Sequence, residues 1–499
     1  VPDTSPLPTE PESSEAQTTE SESSAEPESS ETESAAEPET GPEKEAFVTP
    51  DFYTGKTYEV GRFWFGGESD NDYLLDEEGH LLDRSKIPVP ITDELTGDVR
   101  FYSRTQYTKT GKNYEDVDIA TTLYDKDGNV LEERVPYLFS EACGSCVVRL
   151  DSRAALMWEG QFNDYSGDLY DPYAHQVVQE GVCSVTRLTD ASALALDKKG
   201  VLLGTVDTKG AAVDGFPMDA GPFKYPNVYG NGFVFTYTEE DDALTSVILN
   251  SRLEYVDHAE EDEHYRVFNC GERGTVLAKE LEDGETWLLD LDRWEVILQM
   301  DHPVEKMDAG HIICQWDDQF WLFDWNGKKL VGPYDDLQPV RETENDAFEG
   351  LIGRSGNTVC RLDTDGKILN RIDIPKLSYI SVYDGIVCCN TEEYDSATGY
   401  YGYGMTVLDY ELRQFIPGDY TNISRVAPGI YACPTTTPQG ESRVTLFNSD
   451  GQKIFTGATN VGTGDERAIP VVKGFSVGLI DLQGNWIAKN SKYTQETDD

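Results

Sequence analysis

The chain of 499 residues carries 93 Asp and Glu against 40 Lys and Arg, a formal net charge of −53. A surface this acidic cannot neutralise runs of phosphate, which argues against nucleic-acid partners and against attraction to anionic lipid. Aromatic residues make up 11%, too many for a wholly disordered chain, and no apolar run approaches the ~20 residues of a membrane-spanning helix.

Residues 1–46 are a different material from the rest. They hold 14 acidic residues and one cation, Lys44, and no aromatic residue. Such a segment cannot offset its ordering entropy by burial, and like charges and prolines keep it extended. It is expected to be a disordered acidic Ser/Glu/Pro linker that tethers a folded domain spanning 47–499. The chain opens on Val1 rather than Met, so a processed upstream segment is expected. The linker resembles the one that follows the lipidated Cys of bacterial surface lipoproteins. That resemblance implies an extracellular location on the bacterial cell surface, with membrane contact only through an N-terminal lipid.

From about Phe52 onward, short apolar runs alternate with Gly, Asp and Asn clusters. Phe63-Trp64-Phe65, Phe233-Val234-Phe235, Val247-Ile248-Leu249 and Gly385-Ile386-Val387 read as strands between turns. The one helix candidate, Ala154 to Trp158, is too short to convince. One unit recurs: a hydrophobic pair, Asp or Asn, two variable residues, then Gly. It appears at Asp76, Asp125, Asp197, Asp324, Asp363, Asn448 and Asp481, with copies lacking the Gly at Asn250, Asp290 and Asp409. The acidic or amide side chain is expected to accept from backbone N–H groups two and three residues on. The Gly is expected to be left-handed, closing a type I turn with a bulge. The Gly stands fourth in the loop, whereas a calcium-binding EF-hand needs it sixth, so no metal site is expected.

The ten markers have a mean spacing of 45 residues. Self-similar β units at that period point to an all-β fold, a β-propeller of seven or eight hairpin blades, with an open solenoid as the rival. Two copies carry a family resemblance. Gly478-Leu479-Ile480-Asp481-Leu482-Gln483-Gly484-Asn485-Trp486-Ile487, and the run from Leu322 through Pro333-Tyr334-Asp335-Asp336, resemble bacterial WG repeats. The resemblance implies a surface or periplasmic interaction protein and brings no catalytic residues with it.

Several short motifs mimic catalytic ones. Gly474-Phe475-Ser476-Val477-Gly478 matches a hydrolase nucleophile elbow, but it runs into a hairpin where that motif needs a helix. Cys143-Gly144-Ser145-Cys146 is similar to a papain-type signature, with His302 and His311 downstream, but Val147 replaces the aromatic residue. A local Cys143–Cys146 disulfide or a reduced pair is the plainer reading. Nine Cys is an odd number, and four of them sit in apolar runs as small hydrophobes. His258 and His264 flank an acidic stretch, 257–263, read as a solvated turn. Trp287, Trp294, Trp316, Trp321 and Trp325 read as packing between repeats. Tyr394, Tyr400, Tyr401 and Tyr403 cluster in a Gly-rich stretch, where tyrosines give large contact area at small entropy cost. They are the candidate ligand-binding residues.

The resulting expectation is a monomeric, non-catalytic surface propeller that binds an unknown protein or glycan, with no cofactor. The alternative is a carbohydrate-active enzyme, a glycan hydrolase or lyase, using carboxylates on the loops. A ring serving only as a structural or sensory spacer is the third possibility.

Overall fold

The computed structural model describes residues 48–61, 73–109, 117–151, 166–213, 223–230, 232–240, 243–258, 263–341, 346–383, 385–395, 400–416, 422–436 and 442–491. The expected linker, the Phe63-Trp64-Phe65 run, the Ala154–Trp158 segment and the middle of the 257–263 stretch lie outside the described residues. Everything described belongs to one unit, Gly41–Asp499.

The fold is all-β. Among the described residues the only helical turns are two 3-10 turns, Arg84–Lys86 and Gly271–Arg273. Among the described residues, strands form eleven antiparallel sheets in chain order, each laddered with its sequence neighbours, and one isolated parallel bridge, Asp93 to Ala142, links two of the sheets. We number them one to eleven: residues 57–76, 89–135, 137–180, 184–207, 224–258, 264–300, 304–334, 336–373, 377–416, 424–458 and 460–491. Nine have four strands; sheet four has three and sheet one has two.

The repeated turn explains this regularity. In sheet eleven, the Asp481 N–H donates to the Asn485 carbonyl at 2.8 Å, and the Gly484 N–H to the Asp481 carbonyl at 3.0 Å. The Asp481 carboxylate accepts from the N–H groups of Gln483 at 2.9 Å and Asn485 at 2.8 Å. The acceptance runs to residues two and four ahead, not two and three, because the left-handed Gly turns the following residue back towards the carboxylate. All seven glycines of the motif have φ between 70° and 85°, a region closed to most side chains. The partner strand slips by one residue beside the corner, as at Leu479 and Ile480, which is the expected bulge.

In sheets two, three and five to eleven the corner joins the third and fourth strands; in sheet four Asp197 joins the second and third, and in sheet one Asp76 ends the second. Among the described residues there are eleven such sheets. Two corners escape the pattern, one after Asp207, closed by Gly210 at φ 73°, and one in sheet three. There Asp171 accepts from the N–H groups of Tyr173 at 2.9 Å and Ala174 at 3.0 Å, and His175 takes the positive φ of 52°. With Asp171 counted, the spacing drops to about 40 residues.

Apolar clusters join consecutive sheets pairwise from two to eleven. A further cluster joins the two ends of the series. Tyr58, Val60, Tyr73 and Leu75 of sheet one pack with Ala468, Val472, Val477 and Leu479 of sheet eleven. Phe52, ahead of sheet one, packs on sheet two, its ring 5.6 Å from Tyr102 and 4.7 Å from Tyr124. A lone meander of this size is marginal in water, and burial between neighbours is what stabilises it. The five tryptophans contribute to these joints: Trp316, Trp321 and Trp325 between sheets six and seven, Trp287 and Trp294 between five and six.

Candidate functional site

Sheet nine departs from its neighbours in one respect. Its second and third strands, Ile386–Asp395 and Tyr400–Asp409, pair over ten consecutive positions. The first strand, Leu377–Tyr383, pairs only as far as Thr391, and the fourth, Gln414–Ile416, only with Val407 and Leu408. Residues 392–395 and 400–403 thus run on as a two-stranded ribbon beyond the sheet.

All four candidate tyrosines fall on this ribbon. Tyr394 is opposite Tyr401, Tyr403 is opposite Glu392, and Tyr400 is opposite Asp395. Their side chains lie outside the described set.

At the root of the ribbon is a cavity of about 230 Å³. The first strand contributes Ser378 and Tyr379, the second Asn390, Thr391 and Glu392, and the third Gly404 and Met405. A bulge between Leu377 and Tyr379 leaves Ser378 unpaired in the ladder, the kind of irregularity that re-aims side chains. Tyr379 is 54% exposed, and Met405 is buried among the apolar residues between sheets nine and ten. A Cβ at Gly404 would lie 2.9 Å from Thr391 Oγ1, so glycine leaves the room that the cavity occupies. The lining offers the hydroxyls of Ser378 and Thr391, an amide, a carboxylate, the exposed Tyr379 ring and a thioether. That set can hydrogen-bond a polyhydroxylated ligand and stack on its apolar face. Sequence reasoning located the ribbon but missed Ser378, Tyr379 and Asn390. They sit in ordinary strand runs, and nothing local distinguishes them.

The other residues singled out from sequence resolve individually. Cys143 and Cys146 face one another across a two-residue turn as free, buried thiols. Their Sγ atoms donate to the Asp207 carbonyl at 3.5 Å and the Lys209 carbonyl at 3.2 Å. Burial, then neighbouring carboxylates, pushes Cys143 up to about 12. Burial also dominates at Cys146, pushed up to about 11, so neither is a poised thiolate. The other seven cysteines are also free and buried. His302 stacks on Trp316 at 3.7 Å, and His311 Nδ1 lies 3.1 Å from Asp308. His302 lies in the connection from sheet six to sheet seven and His311 in sheet seven, whereas the two thiols belong to sheet three. Ser476 opens the strand Ser476–Ile480, with no helix after it.

The two described ends of the acidic stretch after Tyr255 meet at one lysine. Lys279 Nζ lies 3.2 Å from carboxylate oxygens of both Asp257 and Glu263. Tyr265 donates to Asp257 at 2.9 Å. Burial and the Asp257 charge hold that phenol protonated well above its usual range. Asp76, Glu78 and His80 bring ligand-type atoms within 4.8 Å of one another. The Asp76 carboxylate, however, is occupied by the His80 backbone N–H at 2.7 Å and ring at 2.8 Å. It is a corner of the repeat.

Two carboxyls are held above their usual range. Glu94 is raised by burial and then by Glu141 and Asp93; Asp336 is raised by burial against the opposing pull of Gln338 and Lys306. They lie on sheets two and eight, not in one pocket.

No protein-family model matches the chain, and no curated protein matches it. The WG-repeat resemblance therefore rests on the residues quoted for it. Among solved structures, the chain is similar to a eukaryotic initiation factor, at 8% identity and a TM-score of 0.34, covering 80% of this chain and 94% of that one. It is also similar to the computationally designed Ika8 protein, at 10% identity and a TM-score of 0.24, covering 69% and 95%. A third likeness is to dihydro-heme d1 dehydrogenase NirN in complex with DHE, at 12% identity and a TM-score of 0.26, covering 62% and 72%. Likenesses this distant carry no functional argument.

Proposed function

We propose that the eleven sheets close into a propeller-like ring and that the protein is a non-catalytic binding protein for a glycan, held at the root of the sheet-nine ribbon. Closure is supported by the apolar packing of sheet one on sheet eleven together with the series of apolar joints from sheet two to sheet eleven. Surface display through the 1–46 linker is supported by that segment's charge and its Ser/Glu/Pro composition.

One observation carries the binding role. The ribbon places four tyrosines directly beyond a cavity lined by Tyr379, Ser378, Asn390, Thr391 and Glu392. A sugar ring presents hydroxyls at its rim and C–H groups on its face. The amide and carboxylate would take the hydroxyls, and the exposed phenol ring the face.

The test is a glycan array followed by titration calorimetry on the strongest neutral oligosaccharide. Tyr379→Ala is expected to weaken binding about tenfold, a loss of about 1.4 kcal/mol. Its thermal unfolding should be unchanged, because the side chain is half exposed. An array with no hit, or a Tyr379→Ala protein that binds like the parent, would overturn the reading.

A further inference from the structure

The ladder of sheet nine sets the cavity's side chains in a row. Tyr379 is opposite Asn390, and Asn390 is opposite Met405. Residues directly opposite on antiparallel strands share a face, with Cβ atoms about 4.5–5.5 Å apart. Glu392 follows Asn390 by two positions, so it stands on that same face one step along. A phenol ring, an amide, a thioether and a carboxylate therefore border one patch. The polar side chains of the lining, Ser378, Tyr379, Asn390, Thr391 and Glu392, have no hydrogen-bond or ion-pair partner among the described residues. Nor does the described lining include a Lys, an Arg or a His.

Resting on the glycan reading of this cavity, we propose that the ring it selects is an amino sugar, with a free, protonated amine in place of one hydroxyl, and that Glu392 and Tyr379 make the selection. The Glu392 carboxylate is the one charge in the lining and lacks a counter-ion among the described residues. An ammonium supplies that counter-ion, whereas an anionic sugar is repelled. The Tyr379 ring is 54% exposed and borders the same Asn390, and the face of such a ring attracts a cation. The net charge of −53 further enriches cations around the molecule. A bare cation such as a polyamine would satisfy the carboxylate but strip water from Ser378, Asn390 and Thr391 without replacing its hydrogen bonds, which is costly. The hydroxyls of a sugar replace them. A cavity of about 230 Å³ is smaller than those that drug-sized ligands fill, so it takes a single ring of an oligosaccharide.

The full chain is titrated calorimetrically at about pH 6, where a sugar amine carries its proton, with a glucosamine trimer, its N-acetylated form, a glucose trimer and putrescine. Acetylation removes the charge and keeps the ring. The glucosamine trimer should bind about tenfold more tightly than either uncharged trimer, and putrescine should not bind saturably. Raising the salt from about 50 to about 500 mM should shrink that preference. Glu392→Gln should bring the glucosamine and N-acetylated trimers to within about twofold of each other. Glu392 is exposed, so the variant should keep the parent's thermal unfolding. A glucosamine trimer that binds no better than its acetylated form, or a Glu392→Gln protein that keeps the preference, would overturn this inference and leave the glycan reading standing. Putrescine binding as tightly as the trimer would overturn it as well, by revealing a cation site without sugar recognition. Binding of no sugar at all would overturn both.

Discussion

Asp308 shows how much one buried side chain holds. It is 3% exposed, and its carboxylate accepts from the N–H groups of Gly310 at 2.8 Å, His311 at 2.6 Å and Phe348 at 2.6 Å. Burial opposes its ionisation. The His311 ring and those N–H groups outweigh it, so the pKa lies below the usual carboxylate value. A depressed folded-state pKa adds stability that is fully present above the unfolded value of about 4 and is lost as the pH falls through the folded one. Asp308→Ala leaves three backbone donors without their acceptor and is expected to cost about 3 kcal/mol at neutral pH. Urea unfolding should show the gap between parent and variant closing as the pH drops from about 5 to about 3. A gap that stays constant across that range would refute this account.

The corner is the governing element of the fold. Where Gly is missing, the chain still adopts the left-handed turn with another residue: Leu253 at φ 58° after Asn250, and Leu412 at φ 59° after Asp409. An L-residue there costs about 1–2 kcal/mol. Both leucines are buried between sheets, at 9% and 4% exposure, and burying a leucine returns about 1.5–3 kcal/mol. Burial therefore wins over strain. Leu412→Gly should destabilise the protein by about 1–2 kcal/mol although it relieves the backbone. A variant as stable as the parent in urea would show that the corner, not the packing, sets this position. Asp290 and Asp171 illustrate a second solution, in which the positive φ moves one residue on, to Trp294 and His175. A pattern keyed to Gly at the fourth position finds Asp290 only by its marker and overlooks Asp171.

In the whole molecule, the joint between sheets one and eleven differs from the others because it links the ends of the series. Asp465 accepts from Tyr58 at 2.7 Å, is ion-paired with Lys56, and receives the N–H groups of Arg467 at 2.7 Å and Ala468 at 2.9 Å. Gly462 lies against strand Thr57–Val60 so closely that a Cβ there would stand 1.8 Å from the Glu59 carbonyl oxygen. No rotamer relieves a clash with backbone, so Gly462→Val must push the two sheets apart. The expected result is a loss of at least 3 kcal/mol in urea unfolding, with protease sensitivity appearing first in sheets one and eleven. A Gly462→Val protein with the parent's stability would mean that the ends do not close on each other, and the proposed ring would fall with it.

The corners were readable from the chain because their physics is local. Asp or Asn, a left-handed position and the intervening hydrogen bonds all lie within five residues, so all-β meanders and their approximate period followed from spacing alone. The tyrosine stretch from 394 to 403 was visible for a similar reason, as an aromatic run at one turn. The number of sheets was not, since it required recognising Asp171 by its bonds and not by a glycine. Nor was the cavity at Tyr379. Tyr379, Asn390 and Met405 meet only because three strands of one meander pair in a particular register, and that register is fixed by burial against the neighbouring sheet, which no short window of sequence records.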